Sequence, residues 1–184
     1  LFTLFICYEV LTLSTYPLVA HHKNDEARQA GRTYLGILLG SSVVLLLPAI
    51  IATWVLAGSI TFTQGGVMAD KVGPVIGGIL FLLYIYGIGK AALMPMHRWL
   101  PAAMVAPTPV SALLHAVAVV KAGVFTVVKV TVYIFGLDYL RELPMADVGL
   151  YLAGFTILMA SIIALRQDNL KRRLAYSTVS QLSY

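Results

Sequence analysis

The sequence contains few charged residues. Asp, Glu, Lys and Arg make up 11% of its 184 positions, whereas 59% of the positions are hydrophobic. Soluble globular domains carry roughly 25% charged residues. A chain with so few charges has too little polar surface to face water all round, so the composition argues against a soluble domain and predicts that lipid surrounds the fold.

The sequence also has no motif that indicates a cofactor or a metal site. Its one cysteine, Cys7, has no second thiol for a disulfide or a thiolate metal cluster. We find no nucleophile–base pair and no redox-cofactor motif, so the sequence predicts no cofactor, no metal site and no catalytic centre of its own. The net charge of +5 comes from basic residues spread over short loops, which does not indicate a nucleic-acid partner.

Long apolar runs are the main feature that is present. A helix that crosses about 30 Å of hydrocarbon needs about 20 mostly apolar residues. Six candidate spans follow, near residues 1–20, 33–57, 72–96, 109–135, 148–165 and 174–184. The first residue is Leu1 and the sixth run stops short of a full span, so we expect an internal fragment of one transmembrane domain, with the all-α fold of a polytopic bundle.

The loop charges provide an independent test of this topology, because Lys and Arg concentrate in cytoplasmic loops. Loops that follow an odd-numbered span contain eight basic residues: Lys23, Arg28, Arg32, Arg98, Arg166, Lys171, Arg172 and Arg173. The opposite loops contain two, Lys71 and Arg141. The asymmetry supports alternating spans, with the first set of loops in the cytoplasm.

Lys90 is the most informative residue, because it lies inside an apolar run. A lysine at the centre of a membrane helix costs roughly 2.5 to 3.5 kcal/mol, so such residues usually face protein or water and serve transport. Gly89 before it and Pro95 after it predict a broken helix, a feature of transporter sites. The structural alternative is a lysine that extends to the membrane surface.

Glu9 lies in the middle of the first span and needs a cationic partner or a proton. Lys90 is the natural partner, and a change in their separation would load or release a proton. The alternative is a static buried ion pair. His115 and Lys121 lie on the fourth span, where about 600° of helix rotation separates them, so a proton passing between them needs bridging water. A packing role for His115 stays open, and Lys129 is expected to extend to the surface.

Two stretches resemble a known family of membrane proteins. Residues 89–116 read GKAALMPMHRWLPAAMVAPTPVSALLHA, and residues 168–182 read DNLKRRLAYSTVSQL. Both resemble the proton-conducting antiporter-like subunits, which include Mrp-type cation/proton antiporter subunits, the L, M and N subunits of respiratory complex I and related hydrogenase subunits. The lysine at position 121 resembles the Mrp D-type and complex I M-type subunits more than the L-type, and residues 8–17, YEVLTLSTYP, resemble the Mrp branch. Together they favour a subunit similar to Mrp D.

The resemblance implies a 14-helix fold with two inverted repeats, of which this chain would supply the fifth helix to the start of the tenth. Glu9 would be the family's essential glutamate, Lys90 the lysine of the broken seventh helix, and Lys121 the lysine of the eighth. His115 matches a histidine found in several members. Gly89, Pro95, Pro107 and Pro109 are the expected helix-breaking residues around this site.

These observations lead to one leading hypothesis and two alternatives. The first is a proton-translocating, D-like subunit of a multisubunit Na⁺/H⁺ antiporter in a bacterial plasma membrane, with other membrane subunits as partners. The second is a proton-pumping subunit of NADH:quinone oxidoreductase or a membrane hydrogenase. The third is a membrane scaffold whose buried charges only fix packing.

Overall fold

The fold is a bundle of helices, seen in a computed structural model that describes residues 1–21, 25–68 and 71–184. The α-helices in chain order are α1 Phe2–Val19, α2 Asp25–Ser41, α3 Leu47–Ala57, α4 Pro74–Gly87, α5 Trp99–Ala103, α6 Thr108–Ala112, α7 Val119–Val130, α8 Leu137–Arg141, α9 Pro144–Leu165 and α10 Leu170–Leu182. Three π-helical turns, Ser42–Leu46, Leu113–Val117 and Thr131–Phe135, join or extend these helices. Two 3₁₀ turns, Gly89–Ala91 and Met96–Arg98, lie between α4 and α5.

Four continuous helices within these ranges are long and apolar enough to cross a bilayer. They are Phe2–Val19, Asp25–Ala57, Thr108–Phe135 and Pro144–Leu165. Helix α4 is apolar but has 14 residues, because the chain leaves helical geometry before Lys90. The predicted all-α polytopic bundle with a broken helix near Lys90 is confirmed.

The second membrane helix begins earlier than the apolar run suggests. We predicted a loop up to residue 32, but α2 starts at Asp25, so Arg28 and Arg32 lie in its first two turns. Asp25 and Glu26 occupy the first turn, where negative side chains stabilise the positive end of the helix dipole. Lys23, one of the eight basic loop residues, lies outside the described residues.

The distribution of side chains is inverted relative to a soluble protein. Large apolar residues are exposed on the outer surface, including Val44, Trp54, Leu150 and Leu158. Polar residues are buried between the helices: Thr12, Thr15, Ser41, Ser42, Thr53, Lys90, Ser111, Thr126, Thr156 and Ser180. Most of these hydroxyl groups donate to a backbone carbonyl one helical turn earlier, which satisfies them without water.

Candidate functional site

The break after α4 forms the centre of the site. Helix α4 ends at Gly87, Ile88 leaves helical geometry, and Ala92 adopts a left-handed conformation with φ of 56°. Between them, Gly89–Ala91 form one 3₁₀ turn. A break at membrane depth frees backbone groups that must find partners inside the protein.

Side chains from three other elements supply those partners. The Lys90 N–H donates to the Tyr8 hydroxyl at 3.1 Å, and the Trp99 indole N–H donates to the Gly89 carbonyl at 2.9 Å. The Met94 N–H donates to the Thr156 hydroxyl at 3.3 Å. The break is therefore a defined structure, held by α1, α5 and α9.

Gly123 of α7 allows that helix to pack directly on the broken backbone. A Cβ atom at position 123 would lie 2.5 Å from the Lys90 carbonyl carbon and 2.6 Å from the Ala91 nitrogen. Both neighbours are backbone atoms, which cannot move aside as a flexible side chain could. Only glycine fits at this position without displacing the turn that carries Lys90.

Lys90 is completely buried, with 0% of its surface exposed. Its ammonium Nζ donates a hydrogen bond to the Tyr8 carbonyl and lies 3.5 Å from the centroid of the Tyr8 ring. We expected Glu9 to be its partner. The structure instead places the ammonium on the residue before Glu9, because both the carbonyl and the ring face of Tyr8 point towards the break.

Glu9 lies beside this group without pairing with it. Both carboxylate oxygens are shielded from solvent, and neither makes a hydrogen bond of standard geometry to the described residues. The Ser42 side chain is close enough to act on the carboxylate as a hydrogen-bond donor, and the charge of Lys90 interacts with it electrostatically. The site therefore brings together an acid that is not bonded to the nearby base and a buried base held by a neutral neighbour.

His115 lies away from this centre, inside the π-helical turn Leu113–Val117. Either ring nitrogen is within hydrogen-bonding distance of the Thr178 hydroxyl of α10, at 3.0 Å for Nδ1 and 2.8 Å for Nε2. A pocket of about 180 Å³ adjoins His115 and extends to Lys171, which lies on the loop side that the charge pattern places in the cytoplasm. His115 thus lines this pocket and contacts α10 through Thr178.

Lys121 is exposed on the surface of α7. It precedes Gly123 by two residues, and roughly 200° of helix rotation directs the two positions to opposite sides of α7. No hydrogen bond joins Lys121 to Lys90 or His115 in the described part of the chain. Its role in proton transfer stays a prediction.

The predicted helix-breaking residues all lie at helix boundaries. Gly89 begins the 3₁₀ turn, and Pro95 immediately precedes the second 3₁₀ turn. Pro107 caps α6, and Pro109 occupies its first turn. Their functional importance stays a prediction.

Sequence reasoning missed several residues that build the site. The sequence gives Tyr8 only as part of the stretch at positions 8–17, and its patterns do not distinguish Trp99, Thr156 or Thr178 as site residues. Apolar patterns give no signal for a side chain that bonds to a backbone group far away in sequence. One signal for Tyr8 is present in the sequence: it adjoins Glu9 in the middle of a span, where its hydroxyl must find a polar partner inside the protein.

Comparison with known proteins agrees with this architecture. A protein-family model described as "NADH:quinone oxidoreductase/Mrp antiporter, TM" matches residues 1–184. The chain belongs to this family. Together with the four apolar helices, the match identifies an integral membrane protein.

Individual relatives within the NADH:quinone oxidoreductase/Mrp antiporter family come from both branches. An antiporter subunit of Staphylococcus epidermidis, mnhA2, is 33% identical over 181 residues, which is 97% of this chain and 22% of that protein. The chloroplastic NAD(P)H-quinone oxidoreductase subunit 5 of Nuphar advena is 43% identical over 104 residues, 56% of this chain and 13% of that protein. The chain thus spans about a fifth of the length of the curated antiporter relative.

Two solved structures share the fold. The structure of the Mrp complex from Dietzia sp. DQ12-45-1b superimposes with a TM-score of 0.81 at 30% identity, over 97% of this chain and 19% of that one. The membrane-bound sulfane sulfur reductase, an archaeal respiratory membrane complex, superimposes with a TM-score of 0.82 at 27% identity, over 99% of this chain and 37% of that one.

Proposed function

We propose that this chain is part of a proton-translocating subunit of a multisubunit Na⁺/H⁺ antiporter in a bacterial plasma membrane. The proposal is supported by the family and by similarity to an antiporter subunit of Staphylococcus epidermidis and to the Mrp complex of Dietzia. Other membrane subunits would be its partners, and protons and Na⁺ its substrates.

One observation carries the proposal: Lys90 is fully buried at a helix break, next to a solvent-shielded Glu9 carboxylate to which it makes no hydrogen bond. A static ion pair would join the two charges directly and satisfy both. An acid and a base that are adjacent but separate can instead exchange partners. When the charge of Glu9 acts on Lys90, it favours the ammonium form, and when that influence is withdrawn Lys90 releases its proton.

The onward path would continue along α7. A pocket of about 260 Å³ adjoins Ala91 and is lined on the α7 side by Val124 and Val128. These residues share a helix face with Lys121, because positions three and seven residues apart align on a helix. The walls of this pocket are mostly apolar, so we expect it to hold water only transiently. A transient water chain would connect Lys90 and Lys121 only part of the time, as a gated proton path requires.

Replacing Lys90 with alanine in the complete antiporter assembly tests the proposal. We expect Lys90→Ala to abolish Na⁺-driven proton flux, because the substitution removes the base that carries the proton at the helix break. The flux is measured in everted membrane vesicles as the collapse of a pH gradient after addition of Na⁺.

Lys129→Ala is the matched control. Like Lys90, Lys129 is a lysine within an apolar segment, but it lies on α7, where its ammonium is 4.4 Å from the centroid of the Tyr133 ring and is not part of the break. We expect it to retain most of the flux. Wild-type flux in Lys90→Ala at equal expression would refute the assignment, and equal losses in both variants would indicate a purely structural effect.

A specific observation also supports a second candidate function, a proton-pumping subunit of NADH:quinone oxidoreductase or a related hydrogenase. The relative with 43% identity is a quinone oxidoreductase subunit, although it covers only 56% of the chain. Genes for small antiporter subunits beside this one favour the antiporter, whereas genes for quinone- or iron–sulfur-binding subunits favour the redox enzyme.

The subunit type is a finer part of the proposal. The lysine at position 121 favours the D type within the Mrp branch that residues 8–17 resemble, whereas the curated antiporter relative is named as an A subunit, mnhA2. The scaffold alternative predicts that the double variant Glu9→Ala with Lys90→Ala transports normally. Loss of flux in an assembled double variant would exclude it.

A further inference from the structure

The contacts of Lys90 point to a role for Tyr8 that the acid–base pair does not explain. Tyr8 makes three contacts with Lys90: its hydroxyl accepts from the Lys90 N–H, its carbonyl accepts from Nζ, and its ring lies beneath Nζ. Tyr8 itself is 3% exposed. A single residue therefore holds both the backbone and the charged end of the lysine.

In each of these contacts the group that Tyr8 contributes is uncharged. The face of an aromatic ring attracts a cation through its quadrupole, most strongly where water is excluded, and a carbonyl oxygen contributes a partial negative charge. Tyr8 can thus stabilise the ammonium without a counter-ion. That leaves the Glu9 carboxylate free to bind a proton or to pair with Lys90.

The geometry allows an exchange between the two positions. Tyr8 and Glu9 are consecutive residues of α1, so their side chains leave the helix roughly 100° apart. The ammonium lies on the first of them and acts electrostatically on the second. The flexible stem of a lysine lets its head move between adjacent sites without moving the backbone.

We propose that Tyr8 is a positioning residue that holds the Lys90 ammonium while its pair with Glu9 is open. This inference rests on the proposed function, because it says where the ammonium of the proton carrier Lys90 is bound when it is not paired with Glu9. Different groups of Tyr8 have different roles. The hydroxyl accepts a hydrogen bond from the Lys90 N–H and so fixes the broken backbone, whereas the ring and the backbone carbonyl bind the ammonium.

Other ionisable groups on the elements around Lys90 enter the interpretation of any pH effect. Helix α1 contributes Glu9 as well as Tyr8, and the elements α2, α7 and the second 3₁₀ turn contribute Tyr34, Lys121, His97 and Arg98. The variants below leave all of these residues unchanged. A shift in pH dependence between them therefore reports on position 8.

The test is the pH dependence of Na⁺-driven proton flux in the complete assembly. Tyr8→Leu removes the ring and the hydroxyl, whereas Tyr8→Phe removes only the hydroxyl. With the ring gone, the ammonium form is less stable and protonation needs a higher proton concentration. We expect the pH of half-maximal flux to fall by about one unit in Tyr8→Leu, equivalent to about 1.4 kcal/mol, and to stay near wild type in Tyr8→Phe.

Tyr84→Leu is the matched control for the loss of a buried tyrosine. The Tyr84 hydroxyl bonds to Thr53 and Ala49, and its ring packs on Phe135 rather than on Lys90. We expect it to leave the pH of half-maximal flux unchanged. An equal shift in Tyr84→Leu, or no shift in an assembled Tyr8→Leu, overturns the inference.

A variant of unchanged shape keeps the inference testable if Tyr8→Leu fails to assemble. Tyr8→pentafluorophenylalanine, compared with Tyr8→Phe, keeps the ring but removes the attraction of its face for a cation. We expect the same downward shift, and identical profiles for these two variants overturn the inference. Lys90→Ala measured in parallel separates the two hypotheses: if it is inactive while every Tyr8 variant behaves as wild type, only the role of Tyr8 fails.

Discussion

The contact between Gly123 and the broken helix gives a prediction of defined size. In Gly123→Ala, the new methyl group would start 2.5 Å from the Lys90 carbonyl carbon, and it needs roughly 1 Å more to reach an ordinary contact. Overpacking of this kind costs about 1 to 3 kcal/mol. The gain in helix propensity from Gly to Ala is at most about 1 kcal/mol, so we expect a net loss of stability.

The functional effect should exceed the effect on stability. The atoms that must move belong to Lys90 itself, so the displacement changes the distances from its ammonium to Tyr8 and Glu9. A misplacement of about 1 Å at a reacting group can lower rates by roughly a hundredfold. We therefore expect Gly123→Ala to assemble with a lowered melting temperature and to lose most of its Na⁺-driven proton flux.

Gly36→Ala makes the same chemical change in a membrane helix. A Cβ atom at Gly36 meets nothing within 4 Å in the described structure, so we expect wild-type flux and unchanged or slightly raised stability. Thermal melting of the solubilised assembly and vesicle flux measure both quantities. Wild-type stability and flux in Gly123→Ala would refute the argument that α7 packs directly on the broken backbone.

Two further predictions concern the partners of the freed groups. Trp99→Phe leaves the buried Gly89 carbonyl without its donor and should cost about 1 to 3 kcal/mol in the melting assay, whereas Trp54→Phe, at a position 60% exposed, should change stability by less than about 0.5 kcal/mol. Equal effects of the two substitutions would contradict the assigned bond. Thr178→Val removes the hydroxyl partner of His115 and should slow proton flux about two- to tenfold, while Thr178→Ser should restore it; wild-type flux in Thr178→Val would show that His115 does not depend on this contact.

The charged residues of the site could be predicted from the sequence, but their contacts could not. Lys90 and Glu9 were recognisable because a charge inside an apolar run has few explanations in a membrane. The contacts of Tyr8 with Lys90 could not be predicted in the same way, because they join residues 82 positions apart. Similarly, nothing in the sequence distinguishes Gly123, which packs on backbone, from Gly36, which has open space beside it.

The amino-acid sequence alone determined that this chain lies in a membrane as an all-helical bundle, and it determined that a helix is broken near Lys90. Those properties follow from composition, run length and the position of Gly and Pro, which act locally. Only the tertiary structure decided that Lys121 lies on the exposed side of α7 and that Lys90 contacts Tyr8 rather than Glu9. The physical reason is that a buried ammonium takes whichever acceptor the packing of distant helices brings within reach, and local sequence does not specify that packing.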